Sequence, residues 1–332
     1  MPKFLIIRFS SIGDIVLTTP VIRCLKQQVK NAEVHFALKK NFADVLANNP
    51  YINNKFFLED DLSDLISQLK KEKYDYIIDL HNNLRTSIIK FRLGVKSFSF
   101  NKLNFEKWLM VNFKIKRMPD AGIVDRYMKA VESFGINNDG HGLDYFISGE
   151  DEKVLQTLPE NFRGGYVAFV IGAKHFTKQL PAEKIISICK KISSPTILLG
   201  GKEDFEKAEK IIRALLPIAN SQQPAAINLC NKLSLNQSAA ILKHAKKAIT
   251  HDTGLMHIAA AFKKEIISVW GNTVPEFGMS PYYGNKEVRS SKFEIRNLPC
   301  RPCTKIGFAK CPKGHFNCMM MQDENKIAEQ AN

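Results

Sequence analysis

A chain of 332 residues with 45% hydrophobic content is too long for one comfortable core and suits two α/β domains of ordinary size. Its net charge of +15 and pI near 9.4 point to an anionic partner, and charge alone leaves open nucleic acid, a membrane surface, or a phosphorylated or carboxylated substrate. No apolar run approaches the ~20 residues of a transmembrane helix, and seven cysteines without a visible export signal argue against a disulfide scaffold; a reduced, cytoplasmic protein with at most peripheral membrane contact is expected.

The opening MPKFLIIRFSSIGD holds an apolar stretch too short for a signal peptide and reads as a first strand. The run Lys3 to Phe9 is followed by Ser10, Ser11, Gly13 and Asp14 and then a helical pattern through Leu25, as in a buried parallel strand that feeds a helix. EVHFAL from Glu33, KFFL from Lys55 and YDYIIDL from Tyr74 are further strand candidates, separated by helix-like stretches such as Leu62 to Lys71. After LDYFIS (Leu143 to Ser148) the sequence turns polar, which places a domain junction there and divides the chain into residues 1–155 and 156–332. The alternation restarts with YVAFVIG, TILLGG, AINLC, KAITHD and EIISVWG, a second doubly wound α/β domain.

Ligands of such sheets bind beyond the carboxyl ends of the strands, so chemistry is sought there. In SSIGD, Asp14 opens a helix and could act as a general base. In IGAKHFTKQLP, Lys174 and Lys178 precede a helix that Pro181 starts, and either could neutralise a diphosphate. Gly201 and Glu203 follow TILLG, where a carboxylate could meet a ribose. In THDTGLMH, Asp252 and Thr253 lead into a helix from Gly254, whose free N–H groups suit a phosphate, with His257 one turn in. Taken singly, each aspartate is better explained as a helix cap and each lysine as a solvated charge. The absence of GxGxxG and Walker patterns weakens dehydrogenase and NTPase readings. Basic residues crowd the first half, and Arg85, just after the Tyr76 strand, and Lys39 are the candidates for an anionic acceptor, with Trp108 and its apolar neighbours for lipid.

These motifs in this order, ending in LPCRPC…CPKGHFNCM, resemble the ADP-heptose:lipopolysaccharide heptosyltransferases of glycosyltransferase family 9 along nearly the whole chain. The resemblance implies a GT-B fold: two Rossmann-like domains facing across a cleft, acceptor on the N-terminal one and nucleotide-sugar on the C-terminal one. It implies Asp14 as catalytic base, Lys178 on the donor phosphates, and Asp252, Thr253, Gly254 and His257 at the donor sugar and pyrophosphate. It further implies an inverting transfer from ADP-heptose to a lipid-linked glycan in lipopolysaccharide biosynthesis, without a metal or other cofactor and without nucleic acid. Ala173 and Lys174 stand where the family often has hydroxyls, which puts the phosphate contacts in question.

Cys300, Cys303, Cys311 and Cys318, with His315, supply enough ligands for zinc, but their spacing is irregular for a zinc ribbon and a structural tail is the expectation. Two alternatives remain: a transferase or epimerase for another nucleotide-sugar, and a zinc-stabilised nucleic-acid-binding protein.

Overall fold

The computed structural model describes residues 1–216 and 226–332. Two compact units make up the chain, each built on one parallel sheet. In the first, strands β1 (Lys3–Ile7), β2 (Glu33–Lys39), β3 (Asn54–Leu58), β4 (Tyr76–Asp79) and β5 (Lys96–Ser99) lie in the order β3-β2-β1-β4-β5. Both faces of a parallel sheet are covered by its crossover helices, which is why β1 reads as an unbroken apolar run and buries Phe4 through Ile7. Leu5, Ile7, Ala37, Ile77 and Ile89 share one core. Strand β5 escaped the sequence reading because an edge strand carries no such run, and KSFS is largely exposed.

The helical pattern expected through Leu25 is two helices, Ile12–Val16 and Thr19–Gln28. Pro20 has no N–H to continue the first helix and sits at the start of the second, while Thr18 and Thr19 turn their hydroxyls back onto the carbonyls of Ile15 and Val16 at 2.7 Å.

The second unit carries β6 (Val167–Val170), β7 (Thr196–Leu199), β8 (Ala226–Asn228), β9 (Lys247–His251), β10 (Glu265–Trp270) and β11 (Ser290–Glu294), in the order β11-β10-β9-β6-β7-β8. Each sheet therefore grows outward from one strand, returns, and grows the other way. The order reverses between β1 and β4 in the first sheet and between β6 and β9 in the second. At such a reversal the connections on either side leave in opposite directions and open a crevice at the carboxyl ends.

The units are discontinuous in sequence, whereas the reading above expected one cut at 155/156. The first unit comprises Met1–Leu103, Ala121–Phe146 and Tyr282–Lys286, and the second the remainder. Helix Asn104–Phe113 belongs to the second unit because Met110 packs with Val274 and Phe277, and because Lys114 Nζ just beyond it donates to the Pro302 carbonyl at 2.8 Å. Segment Tyr282–Lys286 belongs to the first, where Asn138 Nδ2 donates to Tyr282 Oη (2.7 Å) and Asn285 N to the Gly140 carbonyl (2.7 Å).

Gly284 makes that return possible. Its φ is +67°, and a Cβ there would stand 2.0 Å from the Gly140 carbonyl oxygen. Gly94, which ends helix Leu84–Leu93 at φ +65°, faces open space instead. Gly94→Ala is expected to cost about 1 kcal/mol for the left-handed backbone alone, and Gly284→Ala about 2–4 kcal/mol, with the clash added. Thermal unfolding of the two variants side by side checks this; equal losses would remove the packing argument.

Candidate active site

At the reversal of the first sheet the sequence places a cation under an anion. Arg8, one residue beyond β1, is buried, and its guanidinium donates to the carbonyls of Leu80 (2.6 Å) and Ser10 (2.8 Å) while Nη2 lies 2.6 Å from Asp14 Oδ1. Burial works against the Arg8 charge, yet Asp14, Tyr127 and Asp79 around it raise its pKa overall. Arg8 thus ties the end of β1 to the end of β4 and fixes the carboxylate between them. The other Asp14 oxygen accepts from Ser11 Oγ (2.8 Å) and Ser11 N (3.2 Å), so the capping role expected of an aspartate here is real and coexists with a fixed, partly exposed carboxylate.

His81 follows β4 beside this pair. Its backbone N–H and that of Asn82 are held by Asp79 Oδ1 at 3.0 and 2.7 Å, and Asp79 Oδ2 pairs with Lys90 at 2.9 Å. Burial, then the Arg8 charge, lowers the His81 pKa to about 4, so a neutral imidazole stands near Asp14 at pH 7. Sequence reading passed over both Arg8 and His81; position at a strand end was the available signal. Arg85 is exposed on the first turn of helix Leu84–Leu93, and Lys39 ends β2, so both candidates lie at the same end of the sheet as Asp14.

At the reversal of the second sheet, Lys178 Nζ lies 2.6 Å from Asp252 Oδ2, and Thr273 Oγ1, just beyond β10, donates to the same oxygen at 2.9 Å. The cap reading of Asp252 therefore does not hold. Thr253 is the N-cap of helix Gly254–Ala261 and no side chain caps that helix, because the Asp252 carboxylate is turned to the lysine and threonine. An uncapped helix start next to an ammonium with further N–H donors has the features that suit an anion. His257 is buried on that helix. Lys174 is exposed in the loop after β6, and Gly201 and Glu203 are exposed one strand further out, after β7. The carboxylate that turns inward there is Asp204, which accepts from Gly201 N at 2.9 Å, while Lys207 donates to the Leu180 carbonyl at 2.7 Å.

The C-terminal segment braces this group. Thr177 and Phe308 exchange bonds, with Phe308 N donating to Thr177 Oγ1 at 2.8 Å and Thr177 N to the Phe308 carbonyl at 3.2 Å. Buried Arg301 donates to the carbonyls of Gly271 (2.6 Å) and Thr273 (2.9 Å) and pairs with Glu294 at 2.7 Å. The residues on either side of the Lys178–Asp252 pair are thus fixed by the tail. The seven cysteines are free thiols; Cys300 Sγ lies 3.9 Å from His315 Nε2, and Cys318 joins the core. Among the described residues the metal-like grouping is Glu33, His35 and Glu72, and Lys3 Nζ, 3.1 and 3.0 Å from the two carboxylates, already supplies a cation there.

His251, at the end of β9, is fully buried, and its Nε2 accepts from Leu180 N at 2.9 Å. Burial, then Lys207, lowers its pKa to about 3. A base whose folded pKa lies below its unfolded value near 6.5 contributes stability that is complete above pH 6.5 and is lost as pH falls toward 3. The expected slope from this group is up to about 1.4 kcal/mol per pH unit in that window. Urea unfolding of wild type and His251→Gln from pH 7 to 4 checks it; parallel curves would show that His251 is not the titrating group.

Comparison with known proteins follows the same lines. The model of glycosyltransferase family 9 (heptosyltransferase) matches residues 62–307. Lipopolysaccharide heptosyltransferase 1 of Campylobacter coli is 25% identical over 294 residues, covering 82% of this chain and 84% of that protein. Among solved structures, E. coli ADP-heptose lps heptosyltransferase II superposes with a TM-score of 0.73 at 18% identity, over 99% of this chain and 97% of that one. The iron-containing dodecameric glycosyltransferase TibC of E. coli shares the fold at a TM-score of 0.56 and 12% identity, over 99% and 78% of the two chains.

Proposed function

The chain belongs to glycosyltransferase family 9, the heptosyltransferase family, and on that premise we propose that it transfers a heptose from ADP-heptose to the inner core of lipopolysaccharide or a similar lipid-linked glycan. The observation that carries this reading is the Asp252 carboxylate, shared by Lys178 and Thr273 at the start of an uncapped helix, an arrangement that supports a diphosphate at the second reversal point. At the first, Asp14 is the base. It takes the proton of the acceptor hydroxyl as that oxygen attacks the anomeric carbon, and the bond from that carbon to the donor phosphate breaks with inversion.

The electron pair leaves on the nucleoside diphosphate. Lys178 and the N–H groups at Thr253 and Gly254 meet that charge where it develops, so the step is written without a metal. Arg8 keeps Asp14 oriented, and Arg85 and Lys39 meet anionic groups of the acceptor. Lys174, Gly201, Glu203 and His257 complete the donor side, with Glu203 set to meet a ribose hydroxyl. With a lipid-linked acceptor, the proposed setting is the cytoplasm, in peripheral contact with the inner membrane.

Titration calorimetry with ADP, UDP, GDP and CDP, with and without EDTA, tests the donor half: selective, EDTA-insensitive ADP binding is expected, and binding that EDTA abolishes would sink the metal-free step. Asp14→Asn should leave ADP affinity within about twofold while transfer falls by 10²–10⁴; turnover at the wild-type rate would remove Asp14 as the base. Lys178→Ala should weaken ADP binding about 10- to 100-fold, partly because Asp252 is left as an unpaired anion. Adding Asp252→Asn should recover part of that loss, and no recovery would separate the two residues.

A further inference from the structure

Helix Leu84–Leu93 carries apolar residues on two opposite faces. Thr86 and Ile89 are buried, with Leu93 half-buried beside them, as the inner face requires. Leu84, Ile88 and Phe91 fall within about a 60° arc on the other side and are 78%, 38% and 85% exposed. Spacing i, i+4, i+7 is that of a packed stripe, and here no described residue covers Leu84 or Phe91. Arg85 and Arg92 flank the stripe, Lys96 follows, and no Asp or Glu stands between Asp79 and Glu106. The cap at Asn83 (Asn83 Oδ1 accepts from Thr86 N at 3.0 Å) and the left-handed Gly94 set both ends of the helix, so the stripe is preformed.

We propose that this helix docks the protein on an anionic lipid bilayer, with Leu84, Ile88 and Phe91 in the acyl boundary and Arg92 and Lys96 on the headgroups. Apolar side chains flanked along the helix by cations fit an anionic interface. A second copy of the same face would bring like charges together in a chain of net charge +15, which disfavours self-association there. Among the described residues no helix is long and apolar enough to cross a membrane, so the contact lies in the interface. The helix starts directly after β4, and the Asp14 carboxylate lies at the end of the neighbouring β1, so docking would hold a lipid-linked acceptor at the base. The purpose of the surface rests on the proposed function; its binding to lipid does not.

Co-sedimentation with phosphatidylcholine vesicles, with and without phosphatidylglycerol, tests the proposal on the full chain. The wild type should pellet with the anionic vesicles and be released by salt. Leu84→Ser/Phe91→Ser should lower that partition about tenfold or more, and Arg92→Glu should lower it too, with thermal unfolding and ADP titration unchanged in both variants. A wild type that stays in the supernatant, or a double variant that pellets like the wild type, overturns the proposal. So does a wild-type dimer in analytical ultracentrifugation that the double variant dissolves, which would make the stripe an interface between copies. Helix Asn104–Phe113 in the other unit exposes Phe105, stacked on Trp108, and Phe113, edge-on to Trp108; loss of vesicle binding in Trp108→Ser with full binding in the double variant would move docking there and overturn it as well. Transfer to a delipidated, water-soluble acceptor fragment separates the two claims. Its failure alongside intact vesicle binding counts against the proposed chemistry and leaves the docking surface in place.

Discussion

The constraint beneath both units is that parallel strands cannot be joined by short turns. Every connection must cross over the sheet on a face, and a sheet covered on both faces has to reverse its direction of growth once. That reversal separates the loops after β1 and β4, and those after β6 and β9, while the strands themselves stay hydrogen-bonded. The polar groups proposed for chemistry fall at these two places: Arg8 with Asp14 at one, Lys178 with Asp252 and Thr273 at the other. Neither group needs an elaborate pocket to be positioned, because the sheet delivers its members to within hydrogen-bonding distance.

The two groups solve the same electrostatic problem in different ways. At the first, an arginine buried under the site holds a partly exposed carboxylate, and burial keeps the nearby imidazole neutral. At the second, a carboxylate with a small exposed fraction organises a lysine and a hydroxyl, and the helix dipole behind them sets the sign of what can bind. A base wants a fixed anion and a leaving diphosphate wants fixed cations and N–H donors. In the proposed reading, the chain supplies one at each sheet.

Most of this was legible in the sequence, for an identifiable reason. Strands buried on both faces are continuous apolar runs, and residues just past such a run are at a strand end by construction, so Asp14, Lys178 and Asp252 could be placed before any coordinate. Beyond that rule, legibility fades. Strand β5 has no apolar run, Thr273 lies in a short polar loop with no pattern of its own, and Arg8 is hidden inside a strand-end run where an arginine reads as surface. The cap reading of Asp252 failed because a side chain's choice between its own helix and a lysine 74 residues away is decided by tertiary approach. The discontinuous division of the chain was invisible for the same reason: Gly284 and Asn285 return to Gly140 through backbone bonds that any sequence could make.

The tail that pins Thr177 through Phe308, and the segment Tyr282–Lys286 that completes the first unit, have a consequence for how the molecule is made. A ribosome emits residues in order, so the first sheet can pair its five strands early but lacks its closing segment until more than half of the second unit has been synthesised. The loop that carries Lys178 waits for a partner 131 residues downstream. Contacts of such sequence separation form late, and domains with independent ends would have allowed each half to finish on its own. Here the loop that carries Lys178 gains its Phe308 brace only in the last stretch of synthesis, and a nascent chain released early holds that loop unbraced.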